Sequence, residues 1–410
     1  MNGTLSTRAS LVILITAFTG LVFAGMQLGL MPLASLSVSK SLMGAAFNPG
    51  TAGEWFARYT AAIMLGAAFG GIWLGALGDR IGRTRAAGIC ILIYAIAGGA
   101  GGWARSQEEM LVLRFVAGLG VGGMWPNGVA LVAESWSNAT RPFVAGVAGT
   151  GLNVGIFGVS QLGKAVTVTA DSWRWLFQWS GVAVLLGLLA LVCVPESPKW
   201  KAGTARQSRT AELFRSPLLQ RTLIGIAVGA IPIIGAWAAS KWMIPWADAA
   251  GGAAHPGLKA ITQQWWAVGA ILGSFFGAPL ADKLGRRITY ALISFGSLVL
   301  TCGIFIWLHP LHRLFLPLVF VQGFVSTLFF GWLPLYLPEL FPTRVRAAGA
   351  GIAYNSGRFI STVCVLAAGV FMRWSGGDYA HVGMVTGCIY GLGIIVIWWA
   401  PETRGKPLED

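Results

Sequence analysis

Twelve long apolar segments, separated by short polar loops, constrain this chain more than any other feature of its sequence. A helix needs about 20 apolar residues to cross a bilayer, whereas the strands of a membrane barrel would be shorter and would alternate apolar with polar residues. We place the segments at residues 11–37, 54–77, 86–104, 109–132, 142–166, 175–194, 222–246, 260–281, 288–308, 314–337, 347–372 and 380–400. The pattern predicts an all-α integral membrane protein with twelve transmembrane helices.

Composition and charge indicate how such a chain lies in a membrane. Only 11% of the residues are charged, compared with about 25% in soluble domains. The net charge is +14, and many of the Lys and Arg residues lie near the N-terminus, in alternate short loops, between residues 196 and 221, and near the C-terminus. This is the positive-inside pattern, which predicts a cell-membrane protein with both termini in the cytoplasm and argues against a nucleic-acid partner.

One half of the chain repeats the other. Three acidic residues of the first half recur in the second at offsets of 203, 205 and 206 residues. The matched residues are Asp79 and Asp282, Glu134 and Glu339, and Glu196 and Glu402. We therefore predict two pseudo-symmetric six-helix bundles over residues 1–195 and 222–410, joined by a cytoplasmic linker over residues 196–221. Repeats of this kind place a binding site at their interface, near the middle of the membrane.

Glycines on the fourth and fifth segments predict close packing of helices. The fourth segment carries Gly118, Gly120 and Gly122, and the fifth carries Gly151 and Gly155. A phosphate-binding loop is the alternative for the first group, but no strand precedes it. Small residues let membrane helices approach closely, so we favour packing.

Several motifs resemble the major facilitator superfamily. Residues 114–126 are similar to its helix-four motif, and residues 195–200, 338–346 and 401–409 resemble its sugar-porter branch and relatives. Those relatives include organic-ion transporters and bacterial aromatic-acid/proton symporters. The resemblance covers nearly the whole chain. It implies two six-helix bundles that tilt about a central site, so that the site faces each side of the membrane in turn.

The repeated charges are candidates for a gate. The resemblance implies that they form ion pairs that close the cytoplasmic side and separate when that side opens. The residues are Asp79, Arg83, Glu134 and Arg141 in the first half, and Asp282, Arg286, Glu339 and Arg346 in the second. The alternative is that these charges only fix the topology of the chain.

Two arginines inside apolar segments indicate the class of substrate. Arg358 lies near the middle of the eleventh segment and Arg114 near the start of the fourth, whereas no Asp or Glu lies in the middle of any segment. In the proton-coupled sugar symporters that this chain resembles, an aspartate of helix one can pair with the arginine that matches Arg114. In this chain Met26 occupies the place of that aspartate. The segment around Arg358 resembles helix eleven of organic-anion transporters and aromatic-acid symporters, which carry an arginine at this position. A guanidinium suits a carboxylate ligand.

Other residues could line the same site. Arg358 could instead bond helix carbonyls or polar side chains such as Gln322 or Asn355. The further candidates for substrate binding are polar or aromatic residues inside the spans: Gln27, Asn153, Gln161, Trp237, Gln263, Gln264, Tyr354 and Asn355. Such groups also serve as hydrogen-bonding contacts between helices. Lys164 and Lys241 lie toward the outer ends of their segments, where a long side chain reaches the membrane surface.

Together these features predict a transporter that moves a small organic anion, a carboxylate, by alternating access. A sugar or polyol transporter is the main alternative, and a membrane sensor that does not transport is a weaker one. No span carries a catalytic pair, so we do not expect an enzyme. The cysteines and histidines lack metal-site spacing, and we expect no metal or cofactor. A coupling proton or counter-anion stays open, and the family resemblance favours a monomer in the lipid bilayer.

Overall fold

The computed structural model describes residues 7–135, 141–197, 200, 210–342 and 345–405, with the backbone alone for residues 7, 141–146, 148, 210 and 347. The described residues form helices joined by short turns. Eleven helical segments in this part of the chain are long and apolar enough to cross a membrane. The fifth predicted span, residues 142–166, coincides with a further helix at Arg141–Ala165. The fold is therefore all-α, as the sequence predicts.

The chain divides into two compact units. The first comprises Met1–Asn48 and Arg58–Arg206, and the second comprises Pro49–Ala57 and Gln207–Asp410. The α-helices that begin before residue 207 are α1 Thr7–Met43, α2 Pro49–Ile81, α3 Arg83–Ala100, α4 Gln107–Ser135, α5 Arg141–Ala165, α6 Arg174–Ser180 and α7 Ala183–Cys193. Those that follow are α8 Leu218–Ile234, α9 Met243–Gly251, α10 Leu258–Leu284, α11 Arg286–Trp307, α12 Phe315–Glu339, α13 Arg346–Trp374, α14 Tyr379–Gly387 and α15 Ile389–Val396.

In the first unit, α1 packs against α4 and α5, and α3 packs against α4 and α7. Glycine makes this possible, because a Cβ at Gly122 would overlap the backbone of Ala67 and one at Gly155 would overlap the backbone of Val22. The small faces predicted on the fourth and fifth helices are confirmed. Tyr94 adds a buried contact by donating a hydrogen bond to the carbonyl of Gly20 at 2.9 Å.

In the second unit, α10 packs along α12, and α8 packs along α13. Aromatic side chains fill much of its core. The rings of Tyr290 on α11 and Phe329 on α12 pack edge to face, and the ring of Trp332 stacks on that of Tyr336 one turn later. Burying aromatic rings of this size supplies much of the packing energy of a helical unit.

The predicted helix over residues 222–246 differs from the structure, because it is interrupted. After α8, a π-helical segment Gly235–Ala239 and a 3-10 turn Ser240–Trp242 precede α9. Pro232, inside α8, has no N–H to donate to the carbonyl of Val228, which instead accepts from the hydroxyl of Tyr290 at 2.9 Å. Within the interrupted segment, side chains add hydrogen bonds to the backbone, since Ser240 donates to the carbonyl of Gly235 and Trp242 donates to that of Ala238. A break of this kind at membrane depth occurs only where protein or a cavity surrounds it.

Candidate functional site

Three of the predicted binding residues meet on one turn of α13. Arg358 lies near the middle of this helix and is half-buried. Its guanidinium carbon is 5.0 Å from the centroid of the Tyr354 ring, and its Nη1 donates to Oδ1 of Asn355 at 3.5 Å. The group offers a planar cation, a ring face and an amide to a ligand, which suits a carboxylate attached to an apolar body.

Of the two polar partners considered for Arg358, the structure gives Asn355 and not Gln322. Gln322 is buried elsewhere in the unit: its Oε1 accepts from the indole N–H of Trp266 at 2.9 Å, and its Nε2 donates to Ser240 at 2.5 Å and to Thr301 at 3.1 Å. Gln322 therefore fixes the helices around the interrupted segment.

Arg114 lies in the first unit and is only 1% exposed. Its Nη1 donates to Oε1 of Gln27 at 3.2 Å, and its Nη2 donates to the backbone carbonyl of the same residue. Within the described part of the chain, Arg114 makes no ion pair, and its Nε and the Nε2 of Gln27 have no hydrogen-bond partner. Because a buried charge inside a membrane span is costly without an opposite charge nearby, this cation is incompletely compensated by its neutral partner.

The residue that contacts Arg114 is Gln27, which directly follows Met26 in the chain. Successive residues of a helix point about 100° apart, so a one-residue difference changes which side chain faces α4. The contact with Gln27 is neutral and supplies no carboxylate.

Lys241 is a buried lysine whose surroundings were not predicted from the sequence. The expectation that it reaches the membrane surface is wrong, because the side chain is 1% exposed. Its Nζ lies 3.3 Å from the ring centroid of Trp266 and 5.7 Å from that of Trp237. Within the described residues, Nζ has no hydrogen-bond partner. The spacing of Trp237 and Lys241, one helical turn apart, is the sequence signal that could have indicated this contact.

The remaining candidates are more dispersed. Trp237 belongs with Lys241, whereas Gln264 is half-buried on α10 and Gln161 is exposed on α5. Neither glutamine bonds another of the predicted binding residues within the described part of the chain. Lys164 is exposed, in agreement with the expectation for a residue near the end of its span.

The repeated charges form one cluster in each unit. The second charge cluster (Asp282, Arg286, Glu339) is centred on Arg286, whose Nη1 lies 2.9 Å from Asp282. Its Nη2 and Nε both donate to Glu339, at 2.7 and 3.0 Å. Thr403 donates to the same carboxylate at 2.6 Å. A two-pronged contact of this type is the strongest geometry for a guanidinium and a carboxylate.

The first charge cluster (Asp79, Arg83, Glu134) has the same composition with looser geometry. Arg83 lies 2.5 Å from Asp79, but its Nε is 3.6 Å from Glu134, too far for a hydrogen bond. Glu134 instead accepts a hydrogen bond from Ser197. The side chain of Arg141 lies outside the described residues, and Arg346 donates to the carbonyl of Phe341 at 3.2 Å.

The third repeated acid caps a helix in both units. Glu196 accepts from the backbone N–H of Thr84 at 3.0 and 3.1 Å, at the start of α3. Glu402 accepts from the backbone N–H groups of Arg286 and Arg287 at 3.0 and 3.1 Å, at the start of α11. Carboxylates at helix N-termini satisfy free donors and oppose the positive end of the helix dipole.

Glycine is required at the turn before each capped helix. Gly82 has φ of 110° and Gly285 has φ of 94°, a region that side chains disfavour. A Cβ at Gly82 would also overlap the Glu196 carboxylate, and one at Gly285 would lie 3.1 Å from Oε2 of Glu402. The repeat therefore extends from the sequence to the backbone conformation and the caps.

These features define a membrane transport protein built as a repeat. No group of metal-binding side chains occurs among the described residues. The model of the Major Facilitator Superfamily matches residues 13–263, and that of the Sugar (and other) transporter family matches residues 257–410. The chain belongs to the Major Facilitator Superfamily, which confirms the predicted fold class and makes the protein a transporter and not an enzyme.

Relatives of known or assigned activity are similar over most of their length. The probable 4-methylmuconolactone transporter of Cupriavidus pinatubonensis is 30% identical, over 84% of this chain and 81% of its own. The cis,cis-muconate transport protein of Acinetobacter baylyi is 28% identical, over 96% and 95%. Among solved structures, the xylose transporter XylE of E. coli in an inward-open conformation has a TM-score of 0.76 at 17% identity, covering 97% of this chain and 98% of its own. The last similarity supports the fold alone.

Proposed function

We propose that this chain transports a small organic anion, a carboxylate, by alternating access. The observation that carries the proposal is the environment of Arg114, a fully buried guanidinium whose contacts within the described residues are to the neutral Gln27. A cation in this environment gains more from an incoming anion than from a neutral sugar. The names of the two relatives, a muconolactone transporter and a muconate transporter, agree with this class of substrate.

Arg358 is the proposed contact for the substrate carboxylate. Its fork can donate two parallel hydrogen bonds, while Tyr354 provides a ring face for the apolar part of the substrate and Asn355 an additional donor. Gln161 and Gln264 are further candidate contacts, since both are polar and neither is fully buried.

Uptake by proteoliposomes tests the proposal. Wild-type protein should take up labelled cis,cis-muconate or benzoate and should not take up xylose. Arg358→Ala should reduce carboxylate uptake by about 30-fold or more, because a charge-assisted contact contributes about 2 kcal/mol. Arg358→Lys keeps the charge but loses the fork, and should be intermediate. Lys164→Ala, at an exposed position, is the matched control for loss of one positive charge.

The parts of the proposal can be rejected separately. Arg358→Ala protein that transports carboxylates at the wild-type rate would exclude the role of this arginine. Wild-type uptake of xylose without uptake of either carboxylate would favour the sugar transporter. Binding of a carboxylate without any flux would instead indicate a sensor.

The proposal includes an arrangement in the membrane. We place the protein in the cell membrane with both termini and the linker over residues 196–221 in the cytoplasm, and we treat residues 1–195 and 222–410 as the two moving bundles. The distribution of Lys and Arg along the chain supports this orientation. The charge clusters then lie at the cytoplasmic ends of the helices, where we propose that they stabilise the state closed to the cytoplasm. A monomer, with a coupling proton or a counter-anion, completes the proposed mechanism.

A further inference from the structure

Two lysines of the second unit are almost completely buried, and they differ in what surrounds their charge. Lys259 is 3% exposed and Lys241 is 1% exposed. Lys259 lies 3.0 Å from a carboxylate oxygen of Asp248, a contact that accounts for its burial. Lys241 makes no ion pair or hydrogen bond through Nζ among the described residues, and its contacts there are the faces of two indole rings.

Indole rings attract an ammonium group, but they do not neutralise it. The attraction of a ring face is smaller than the cost of removing a lone ammonium from water, even for the short contact with Trp266. Among the described residues, Lys241 therefore has no anionic group that would offset a charge on its amine, and a bound anion would supply one. A lysine whose only role was to stabilise the unit would be expected to have a partner of the kind that Lys259 has.

The surroundings of Lys241 are built to hold it in place. The ring nearest to its Nζ is that of Trp266, which is held in place because its indole N–H donates to Gln322. Gln322 in turn donates to Ser240 and Thr301. Ser240 directly precedes Lys241 in the chain. The same hydrogen bonds thus orient the ring and the backbone that carries the lysine, so the position of Nζ does not depend on a flexible chain alone.

The helix that carries Lys241 is also interrupted. Trp237 lies in the π-helical segment Gly235–Ala239, and Lys241 lies in the 3-10 turn Ser240–Trp242. Segments of π-helix occur frequently at functional sites. In membrane transporters, interrupted helices characteristically form the substrate sites. A second, independent feature of the structure therefore indicates a ligand at this position.

We propose that Lys241, with Trp237 and Trp266, forms a subsite that binds a carboxylate group of the transported substrate. The ammonium pairs with the carboxylate, and the two indoles contact the adjoining apolar part of the molecule. This assignment rests on the proposed function, because it requires an anionic substrate. It adds a binding group on the interrupted helix that is separate from the group formed by Arg358, Tyr354 and Asn355 on α13.

Thermal unfolding of purified protein in detergent, with and without cis,cis-muconate or benzoate, tests the subsite. In Lys241→Met protein, an apolar side chain of similar length replaces an uncompensated charge. We expect the ligand-free variant to unfold about 2–4 °C above wild type. Its affinity for the carboxylate, obtained from the ligand-dependent shift of the unfolding temperature, should fall by about tenfold or more.

Lys259→Met is the matched control. It removes a lysine that has a carboxylate partner and leaves Asp248 buried without its cation, so the ligand-free variant should unfold below wild type. Its carboxylate affinity should match that of wild type. Lys241→Arg, which keeps the charge, should retain most of the carboxylate affinity.

The outcomes separate the subsite from the proposed function. A Lys241→Met protein that unfolds at a lower temperature than wild type, or that binds the carboxylates with wild-type affinity, would reject the subsite. If that variant binds normally while wild-type protein still takes up carboxylates, the proposed function survives without the subsite. If wild-type protein neither binds nor transports either carboxylate, the proposed function fails and the subsite fails with it.

Discussion

The two charge clusters have the same residue types at the same spacing, yet they are closed to different degrees. In the second cluster Arg286 makes two hydrogen bonds to Glu339, and these side chains are 7% and 13% exposed. In the first cluster Arg83 and Glu134 are 18% and 21% exposed and are 3.6 Å apart. Removing one charge from a pair that is shielded from water leaves the other buried without a partner, at a large cost in stability. The second cluster should therefore mainly stabilise the fold. The first should be easier to open.

The largest difference should appear when the central arginine is removed. Arg286→Ala leaves Glu339 largely buried without a cation and should lower the free energy of unfolding by about 3 kcal/mol. Arg83→Ala breaks a more exposed and more distant contact and should cost about 1 kcal/mol or less. Titration with a denaturing detergent measures both values. The double variant Arg286→Ala/Glu339→Ala should recover part of the loss. Equal losses for the two arginines would refute the difference between the clusters.

A smaller effect, on conformation instead of stability, should follow from neutralising the glutamate of the first cluster. If this cluster helps to hold the cytoplasmic side closed, Glu134→Gln should shift the balance toward the inward-facing state by up to about fivefold, the equivalent of about 1 kcal/mol. Labelling of a single cysteine at position 161, near the outer end of α5, by a membrane-impermeant reagent from the outer side measures the shift, since Gln161 is exposed and a shift to the inward-facing state should reduce its labelling. The five native cysteines would first be replaced.

Glu339→Gln is the matched variant in the second cluster. It should reduce stability more than Glu134→Gln and should change the labelling less, because Arg286 is more deeply buried than Arg83. Unchanged labelling in Glu134→Gln protein would remove the support for a gate and leave topology as the role of these charges. Equal changes in the two variants would show that both clusters act alike.

The repeated features could be predicted from the sequence because they depend on local or regularly spaced properties. The length of each apolar run predicts a span, and the recurrence of Asp79 and Arg83 as Asp282 and Arg286 predicts a repeated charged turn. In the structure Arg83 lies 2.5 Å from Asp79 across that turn. The recurrence of Glu196 as Glu402 indicated the repeat. The capping role of these two residues became evident only in the structure, since it depends on how the chain returns to the start of another helix.

Other features of the candidate site depend on contacts between helices. Whether Met26 or Gln27 faces Arg114 is decided by the rotation of α1, which a nearly uniformly apolar helix does not reveal. Whether Lys241 reaches outward or folds inward is decided by Trp266, 25 residues later in the chain. Only the group of Tyr354, Asn355 and Arg358 could be assembled beforehand, because residues three and four apart share one face of a helix.

The smallest expected difference concerns the two capping acids. Burial raises the pKa of Glu402, but hydrogen bonds from backbone N–H groups, including those of Arg286 and Arg287, outweigh it, and the pKa is lowered from 4.5. A lowered pKa in the folded state stabilises the protein above about pH 4.5, and this stabilisation is lost as the pH falls through the folded value. Glu402→Gln should therefore cost about 0.5 kcal/mol at pH 7 and less at pH 4.

The cap formed by Glu196 at the start of α3 should contribute less to stability than the cap formed by Glu402. Glu196 accepts from one backbone N–H of α3, that of Thr84, whereas Glu402 accepts from two of α11, so Glu196→Gln should cost less than Glu402→Gln at pH 7. Detergent unfolding of wild type and both variants at pH 7 and pH 4 measures the differences. A loss in Glu402→Gln protein that is the same at both pH values would show that the charge of the carboxylate is unimportant. The cap would then act only through the geometry of its oxygens, which the amide retains in part.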